Sequence, residues 1–110
     1  LFRASWIADY PDAENYLSLF NSINFSPNGP NYTHYKNLTF DKMYKNSLKI
    51  LSDSLRYKKY KHMDSLAFSD FPIIPLYYDQ VVRFVQKDII NMEINPINLL
   101  VLKNTKKIGE

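Results

Sequence analysis

The sequence contains no cysteine, so it can form neither a disulfide framework nor a thiolate metal site. Glycine is almost as scarce: Gly29 and Gly109 are the two present, and no glycine-rich phosphate-binding loop occurs. No apolar run approaches the roughly 18 residues that a transmembrane helix needs. These absences exclude a disulfide-stapled domain, a nucleotide-binding loop and a membrane span, but they do not decide the compartment.

Residues with catalytic potential are also few. His34 and His62 have no partner at a spacing that would bring both onto one face, and neither His-Glu-x-x-His nor Gly-x-Ser-x-Gly occurs. Asp9 and Asp12 are close in sequence, but Pro11 separates them, so they give little support to a general acid–base pair. The sequence therefore predicts a protein that is not an enzyme and needs no metal.

Composition is that of a soluble globular chain, with 45% hydrophobic and 23% charged residues in 110. Length alone suggests a single domain. Aromatic residues reach 15%, and nine of them are tyrosines, which suit packing surfaces and ligand clefts alike. The net charge is +3, with basic runs at residues 56–61 and 103–107. In the first run the lysines fall on the solvent side of a predicted helix, so nucleic-acid binding is not indicated.

The first residues predict a strand that leads into a helix. Residues 1–7 lack Gly and Pro and carry apolar side chains on both faces, as in a strand covered on both sides. The dipeptide Tyr10-Pro11 must leave regular structure, and a helix is expected to start at Pro11 and Asp12. The buried stripe of this helix is predicted to comprise Ala13, Tyr16, Leu17 and Phe20.

A long loop is predicted from Asn21 to Leu38, rich in Asn, Ser and Pro, with a strong turn signal at residues 27–30. Loops of this length in compact domains are usually functional or disordered. Tyr32 and Tyr35 suggest that this one packs back onto the body, and His34 within it is a candidate ligand contact.

Two helices joined by a very short connection are expected next. Thr39 is the predicted N-cap of the first and Asp53 of the second. The predicted buried stripe of the first helix comprises Phe40, Met43, Tyr44, Ser47, Leu48 and Leu51. The predicted stripe of the second comprises Tyr57, Tyr60, Met63 and Ala67.

The last third predicts strands. Residues 70–78 hold Pro72 and Pro75 among β-branched and aromatic residues, which favours an extended edge strand. Residues 81–86 and 98–103 predict further strands. Residues 88–96 are expected to be irregular, and the lysine-rich tail to Glu110 is expected to be frayed.

Trp6 and Asp9 are the residue pair that most favours a ligand-binding site. At three positions apart they can present an aromatic wall and an anion to one cavity, where the carboxylate would receive a cation such as a peptide's ammonium. The alternative is a core tryptophan followed by a helix-initiating aspartate. Both interpretations stay open from residue types alone.

The segment from Arg3 to Tyr16 resembles the segment that lines the ligand cleft in extracellular solute-binding proteins of family 5, the peptide-type binding proteins of ABC importers. Three later motifs agree in order and spacing. These are Asn31-Tyr-Thr-His-Tyr-Lys-Asn37 followed by Phe40-Asp41, the helical hairpin, and Ile74-Pro-Leu-Tyr-Tyr78. The resemblance covers essentially the whole chain. It departs at Leu38, where the family often has proline, and at residues 85–93, which lack a common glycine.

The resemblance implies an α/β fold: the C-terminal fragment of a two-lobed, periplasmic-binding-protein-like (type II) fold, with mixed strands and a helical hairpin. Residues 1–80 would form the C-terminal part of one ligand-binding lobe, and residues 81–110 would cross the hinge and return to the other lobe. The start at Leu1, already inside a predicted strand, looks like a cut in a longer protein. On this expectation the isolated piece is marginal or self-associates, because its strands lack partners.

Roles for individual residues follow from the same resemblance. Asp9 matches the aspartate that pairs with the N-terminal ammonium of a bound peptide. Ser5, Trp6 and Ile7 match the segment whose backbone hydrogen-bonds the peptide as an added strand, and Trp6 would wall a side-chain pocket. Arg3 matches a position that meets a ligand carboxylate in some members.

The implied function is the substrate-binding component of a peptide ABC importer, located outside the cytoplasmic membrane as a periplasmic protein or an anchored lipoprotein. Its implied partners are short peptides, the ABC permease subunits and the remainder of its own full-length chain, with no cofactor and no nucleic acid. Two alternatives remain. One is a binding protein for a nonpeptide amine or opine-like ligand, and the other is a receptor or regulatory domain of the same fold that has lost transport.

Overall fold

The computed structural model describes residues 1–78, 80–95 and 97–109. The chain divides into two compact units, Leu1–Pro75 and Leu76–Glu110, which are described separately below. The predicted boundary after residue 80 stays a prediction, and Asp79, Pro96 and Glu110, which fall in the predicted ranges, lie outside the described residues.

The first unit begins without a strand. Residues 1–8 adopt no helix and no paired strand, and a bend at residues 9–11 precedes helix α1, Glu14–Leu17. The predicted strand over residues 1–7 is therefore wrong for this chain. The physical reason is that a strand needs a neighbour to accept its ladder of hydrogen bonds, and the described residues offer none here.

Helix α1 is a single turn that tightens into a 3₁₀ segment, Ser18–Phe20, and a second 3₁₀ segment follows at Ser22–Asn24. Leu17 and Phe20 are buried as predicted, whereas Ala13 and Tyr16 are exposed. Glu14 and Asn15 are buried in their place. The prediction failed because a helix this short, which changes its pitch after one turn, does not keep the phase of a regular apolar stripe.

A helical hairpin forms the rest of the first unit, with α2 at Leu38–Ser47 and α3 at Asp53–Ser69. The N-cap of α2 is Asn37 and not Thr39: its side-chain oxygen accepts hydrogen bonds from the backbone N–H of Thr39 (2.9 Å) and of Phe40 (3.2 Å). Ser52, not Asp53, precedes α3. The two helices and their short connection are confirmed.

The core lies between α1, its 3₁₀ extension and the hairpin. Its buried apolar residues are Leu17, Phe20, Phe40, Tyr44, Tyr60, Met63 and Ala67. Aromatic rings meet edge to face, with centroids 6.1 Å apart for Phe20 and Phe40 and 5.9 Å for Tyr35 and Phe40. Leu48 and Leu51 were predicted in the stripe but are exposed, because α2 ends at Ser47. Tyr57 is exposed as well.

The loop before α2 packs back around a fully buried asparagine. Asn31 Nδ2 donates to the carbonyl oxygens of Asn21 (3.1 Å) and Tyr35 (3.0 Å), and Asn31 Oδ1 accepts from Tyr35 N (3.2 Å). At Gly29 a Cβ would lie 2.5 Å from the carbonyl oxygen of Asn24, so a side chain does not fit there. The predicted packing is confirmed for Tyr35, which contacts the core, and is wrong for Tyr32, which is exposed.

The second unit contains a two-stranded antiparallel ladder. Strands β1, Ile89–Ile90, and β2, Lys106–Lys107, pair with Ile89 opposite Lys107 and Ile90 opposite Lys106. They fall in segments predicted to be irregular and frayed. The strands predicted over residues 70–78, 81–86 and 98–103 do not form among the described residues. Every described residue of this unit is exposed or half-buried, so the apolar side chains that predicted the strands have no core to pack into.

Whether these elements belong to a two-lobed α/β fold stays a prediction. No helix among the described residues is both long and apolar enough to cross a membrane.

Candidate functional site

The segment from Arg3 to Asp9 carries five of the six candidate ligand-binding residues. Arg3, Ser5, Ile7 and Asp9 are exposed, and Trp6 is half-buried. The backbone N–H and C=O groups of Ser5, Trp6 and Ile7 form no hydrogen bond within the described chain. The segment therefore offers free main-chain donors and acceptors beside an aromatic side chain and a carboxylate.

The Trp6 side chain is hydrogen-bonded to a residue in helix α1. Its indole Nε1 donates to Asn15 Oδ1 over 2.6 Å, and Asn15 is itself buried. Indole nitrogens usually find such a partner when they leave water. The contact fixes the edge of the ring while the side chain keeps part of its surface exposed.

The two aspartates of the turn have different surroundings. Asp12 Oδ1 accepts from the backbone N–H of Glu14 (2.9 Å), and its Oδ2 lies 3.0 Å from the Arg56 guanidinium. Asp9 makes neither a hydrogen bond nor an ion pair in the part of the chain that the structure describes. Asp12 is therefore the aspartate that initiates the helix, a role that the alternative interpretation assigned to Asp9. The Asp9 carboxylate is left exposed and uncommitted.

Glu14 links this turn to the hairpin. One of its carboxylate oxygens accepts the hydroxyl of Tyr10, and the other accepts the hydroxyl of Tyr44 on α2. The hydrogen bond to the Glu14 carboxylate, followed by burial, raises the pKa of Tyr10. Glu14 was in neither the predicted buried stripe nor the set of candidate ligand-binding residues. The available signal was the four-residue spacing of Tyr10 and Glu14, which allows a side-chain contact across one turn.

The Asp12–Arg56 pair adds a link to α3. Arg56 also contacts Asp53 one turn earlier on α3, at 2.9 Å. Tyr60, one turn later, is buried beside Asp12, and burial followed by the Asp12 charge raises the pKa of Tyr60 to about 12. The turn that carries Asp9 is thus connected to both helices of the hairpin.

His34 is not brought into this cluster. It has a left-handed backbone conformation (φ 53°), and its ring stacks on Phe25 with centroids 4.8 Å apart. Its Nε2 lies 3.0 Å from both the hydroxyl and the carbonyl oxygen of Ser26. These contacts lie within the loop, and none joins His34 to Asp9. Its role as a ligand contact stays a prediction.

A separate polar cluster ties the loop to the end of α3. Asp70 Oδ2 accepts from the Tyr35 hydroxyl (2.7 Å) and from Asn37 Nδ2 (2.9 Å), and these bonds lower the pKa of Asp70. Burial, followed by the bond to Asp70, raises the pKa of Tyr35 to about 12. The arrangement stabilises the loop and presents no free group to a ligand.

The candidate residues include no metal-ligand group in the part of the chain that the structure describes. Among the described residues no group of three His, Asp or Glu side chains could hold a metal ion. An open depression of about 480 Å³ is lined by residues of the second unit, none of which is a candidate. Its lining residues are Asn91, Glu93, Lys103, Asn104 and Lys106.

Comparison with known proteins gives partial similarity to binding proteins. The chain is 32% identical over 84 residues to the periplasmic oligopeptide-binding protein OppA of Salmonella typhimurium, which covers 76% of this chain and 15% of that protein. It is 22% identical over 104 residues to a protein of Haemophilus influenzae named as a binding protein, covering 94% of this chain and 20% of that protein. It is 27% identical over 86 residues to YgiS of Escherichia coli, named as a probable deoxycholate-binding periplasmic protein, covering 78% and 15%.

The chain therefore spans about a fifth or less of the length of the curated relatives it matches. No protein-family model and no solved structure matches it. All three relatives are named as binding proteins and none as an enzyme. The expected similarity to solute-binding proteins is confirmed, and the narrower peptide-type assignment rests on the motifs.

Proposed function

We propose that this chain is part of the substrate-binding component of a peptide ABC importer, and that Asp9 binds the N-terminal ammonium of a short peptide. The observation that carries the proposal is the uncommitted Asp9 carboxylate, three residues after the half-buried Trp6. The similarity to an oligopeptide-binding protein over 76% of the chain supports the ligand class.

The electrostatics of Asp9 suit an ammonium. In the absence of a ligand, water solvates the exposed carboxylate, so leaving it unpaired costs little free energy. When a bound ligand excludes that water, the carboxylate needs a cation as its partner, and this need makes binding selective. A ligand without the amine would then bury an unpaired charge, which is costly. Asp12 cannot take this role, because the Arg56 guanidinium already neutralises it.

The free backbone of Ser5, Trp6 and Ile7 supplies the second element of recognition. A peptide that adds as a strand to this segment would satisfy its N–H and C=O groups without reading side chains. Main-chain pairing of this kind accepts many sequences. The half-buried Trp6 would form one wall of a side-chain pocket, and Arg3 could meet a ligand carboxylate.

The proposed mechanism is closure of two lobes around the peptide, followed by delivery to the permease subunits. In this account residues 1–80 contribute to one lobe and residues 81–110 cross to the other, within a type II fold completed by the remainder of the full-length chain. The protein would act outside the cytoplasmic membrane, as the periplasmic names of OppA and YgiS suggest, either free or as an anchored lipoprotein.

A nonpeptide ligand is the second candidate, and one observation favours it. YgiS, at 27% identity, is named for deoxycholate, so relatives of this chain are not confined to peptides. Deoxycholate is itself a carboxylate, which Asp9 would repel. The nonpeptide ligand that fits this turn is therefore an amine or an opine-like compound, whose cationic group Asp9 would receive.

The test is a thermal-shift comparison on the full-length protein with dialanine, trialanine and tetraalanine, and with the same peptides N-acetylated. We expect the free-amine peptides to raise the Tm, because a ligand at about 100 times Kd adds about 2.7 kcal/mol of stability. The acetylated peptides should have a much smaller effect. Asp9→Asn should weaken binding of the free peptides by roughly 30-fold or more, since truncating one partner of a buried charge pair costs about 2–5 kcal/mol.

Asp64→Asn is the matched control, because Asp64 is an exposed carboxylate on α3 without a hydrogen bond or ion pair in the described chain. It should bind like the wild type. Equal shifts with free and acetylated peptides would remove Asp9 from its role while keeping peptide binding. No shift with any of the peptides would favour the nonpeptide ligand or a receptor that has lost transport.

A further inference from the structure

Glu14 stands out among the polar residues of the first unit because it is buried and holds two hydroxyls from different elements. Tyr10 belongs to the turn that carries Asp9, whereas Tyr44 lies on α2 and is buried. A carboxylate bridging two phenols is held by two charge-assisted hydrogen bonds, which are shorter and stronger than neutral ones. The residue next to Asp9 is thereby connected to a rigid helix.

The other side of Asp9 is held as well. Trp6 is bonded to Asn15, a buried residue adjacent to Glu14 in α1. Asp9 therefore lies on a short stretch of chain whose two ends, Trp6 and Tyr10, are both tied to consecutive residues of one helix. Its own side chain takes no part in these bonds. The free Asp9 carboxylate therefore lies on a segment that hydrogen bonds hold at both ends.

Stability alone does not account for a carboxylate at this position. A well-packed apolar side chain of similar volume is often as stabilising as a buried polar network, or more so. Glu14 fixes the orientation of the turn, because one of its carboxylate oxygens accepts the Tyr10 hydroxyl and the other accepts the Tyr44 hydroxyl. Binding sites gain affinity when such supporting bonds hold the contacting group in place before the ligand arrives.

We propose that Glu14, together with the Tyr10 and Tyr44 hydroxyls, positions the Asp9 carboxylate for the ligand's ammonium, an inference that rests on the function proposed above. The three are positioning residues, since none of them contacts the ligand in this account. Loss of the Tyr10 hydroxyl should loosen the turn at Asp9. The substitution should weaken the binding of ligands that have a free ammonium and leave the binding of other ligands unchanged.

The experiment measures Kd for trialanine and for N-acetyl-trialanine by titration calorimetry on the full-length protein. The readout is the ratio of the two Kd values, which a general loss of folding would not change. In Tyr10→Phe we expect the preference for the free amine to fall about fivefold, the change that loss of one typical hydrogen bond produces. Glu14→Gln, which removes the charge while keeping the volume, should lower the preference in the same direction.

Tyr16→Phe is the control, because Tyr16 is as exposed as Tyr10, at 46% against 44%, and its hydroxyl has no partner in the described chain. It should keep the wild-type ratio. If Asp9→Asn abolishes the preference while Tyr10→Phe and Glu14→Gln match Tyr16→Phe, the positioning role is overturned and the proposed function stands. If the wild type binds both peptides without preference for the free amine, the ammonium contact of Asp9 and the positioning role are both overturned, while peptide binding stands.

Discussion

At the scale of single residues, two neighbouring aspartates differ in their hydrogen-bond and ion-pair partners. Asp9 and Asp12 lie around one turn, yet Asp9 is exposed and unpaired within the described chain, whereas Asp12 is half-buried and pairs with Arg56 and a backbone N–H. The sequence singled out Asp9 from its place after Trp6 and from the family motif. It could not predict the contact of Glu14 with Tyr44, because that contact spans 30 positions and depends on how α2 packs.

Tyr60 provides a test of this packing through pH. Its pKa in the folded chain is raised from 10.0 to about 12, chiefly by burial, so folding favours the protonated hydroxyl. The corresponding stability is fully present below pH 10 and is lost as pH rises toward about 12, up to about 3 kcal/mol. Tyr60→Phe should lose less stability than the wild type over this range, measured by urea unfolding of the full-length protein. Parallel loss in both proteins would contradict the account.

At the scale of elements, the helices followed from the sequence and the strands did not. The hairpin is encoded locally: apolar residues recur at helical spacing, and Asn37 and Ser52 stand where the helices begin. Strands depend on partners that are often far away in sequence. The apolar segments at residues 1–7, 81–86 and 98–103 remain unpaired here, and Phe84 is 98% exposed. The loop was predicted, but it contains the 3₁₀ segment Ser22–Asn24 and ends before Leu38, and its buried asparagine was not foreseen.

Asn31 tests the stability of that loop. Its side chain forms four hydrogen bonds, with Asn21, Thr33 and twice with the Tyr35 backbone, and it is fully buried. Asn31→Ala should lower the free energy of unfolding by about 3 kcal/mol, because buried backbone groups lose their partner at about 1–3 kcal/mol each. Asn28→Ala, in an exposed position of the same loop without such bonds, is the control for thermal unfolding of the full-length protein. Equal Tm values for the two variants would refute this role of Asn31.

At the scale of the whole molecule, the two units differ in whether they have a core. The first unit packs seven apolar residues into one cluster, whereas no described residue of the second is buried. Large apolar side chains that stay exposed mark surfaces that other parts of a protein cover, or that associate. In the function proposed above, these exposed side chains would pack against the remainder of the full-length chain.

The isolated 110-residue chain should therefore be marginally stable or self-associate. Sedimentation velocity is expected to reveal species larger than a monomer, and thermal unfolding is expected to be broad. A monomer with a sharp, cooperative unfolding transition would contradict this prediction. The same measurement on residues 1–75 serves as the comparison, because that segment contains the core cluster and should unfold more cooperatively.

A crystal structure of the full-length protein with trialanine would show whether the Asp9 carboxylate binds the ammonium of a peptide. We expect the ligand nitrogen to lie about 2.7–2.9 Å from an Asp9 carboxylate oxygen. The peptide backbone should pair with Ser5 to Ile7, and Asp12 should remain bound to Arg56. A trialanine whose ammonium contacts a different group, with Asp9 still facing solvent, would contradict the claim.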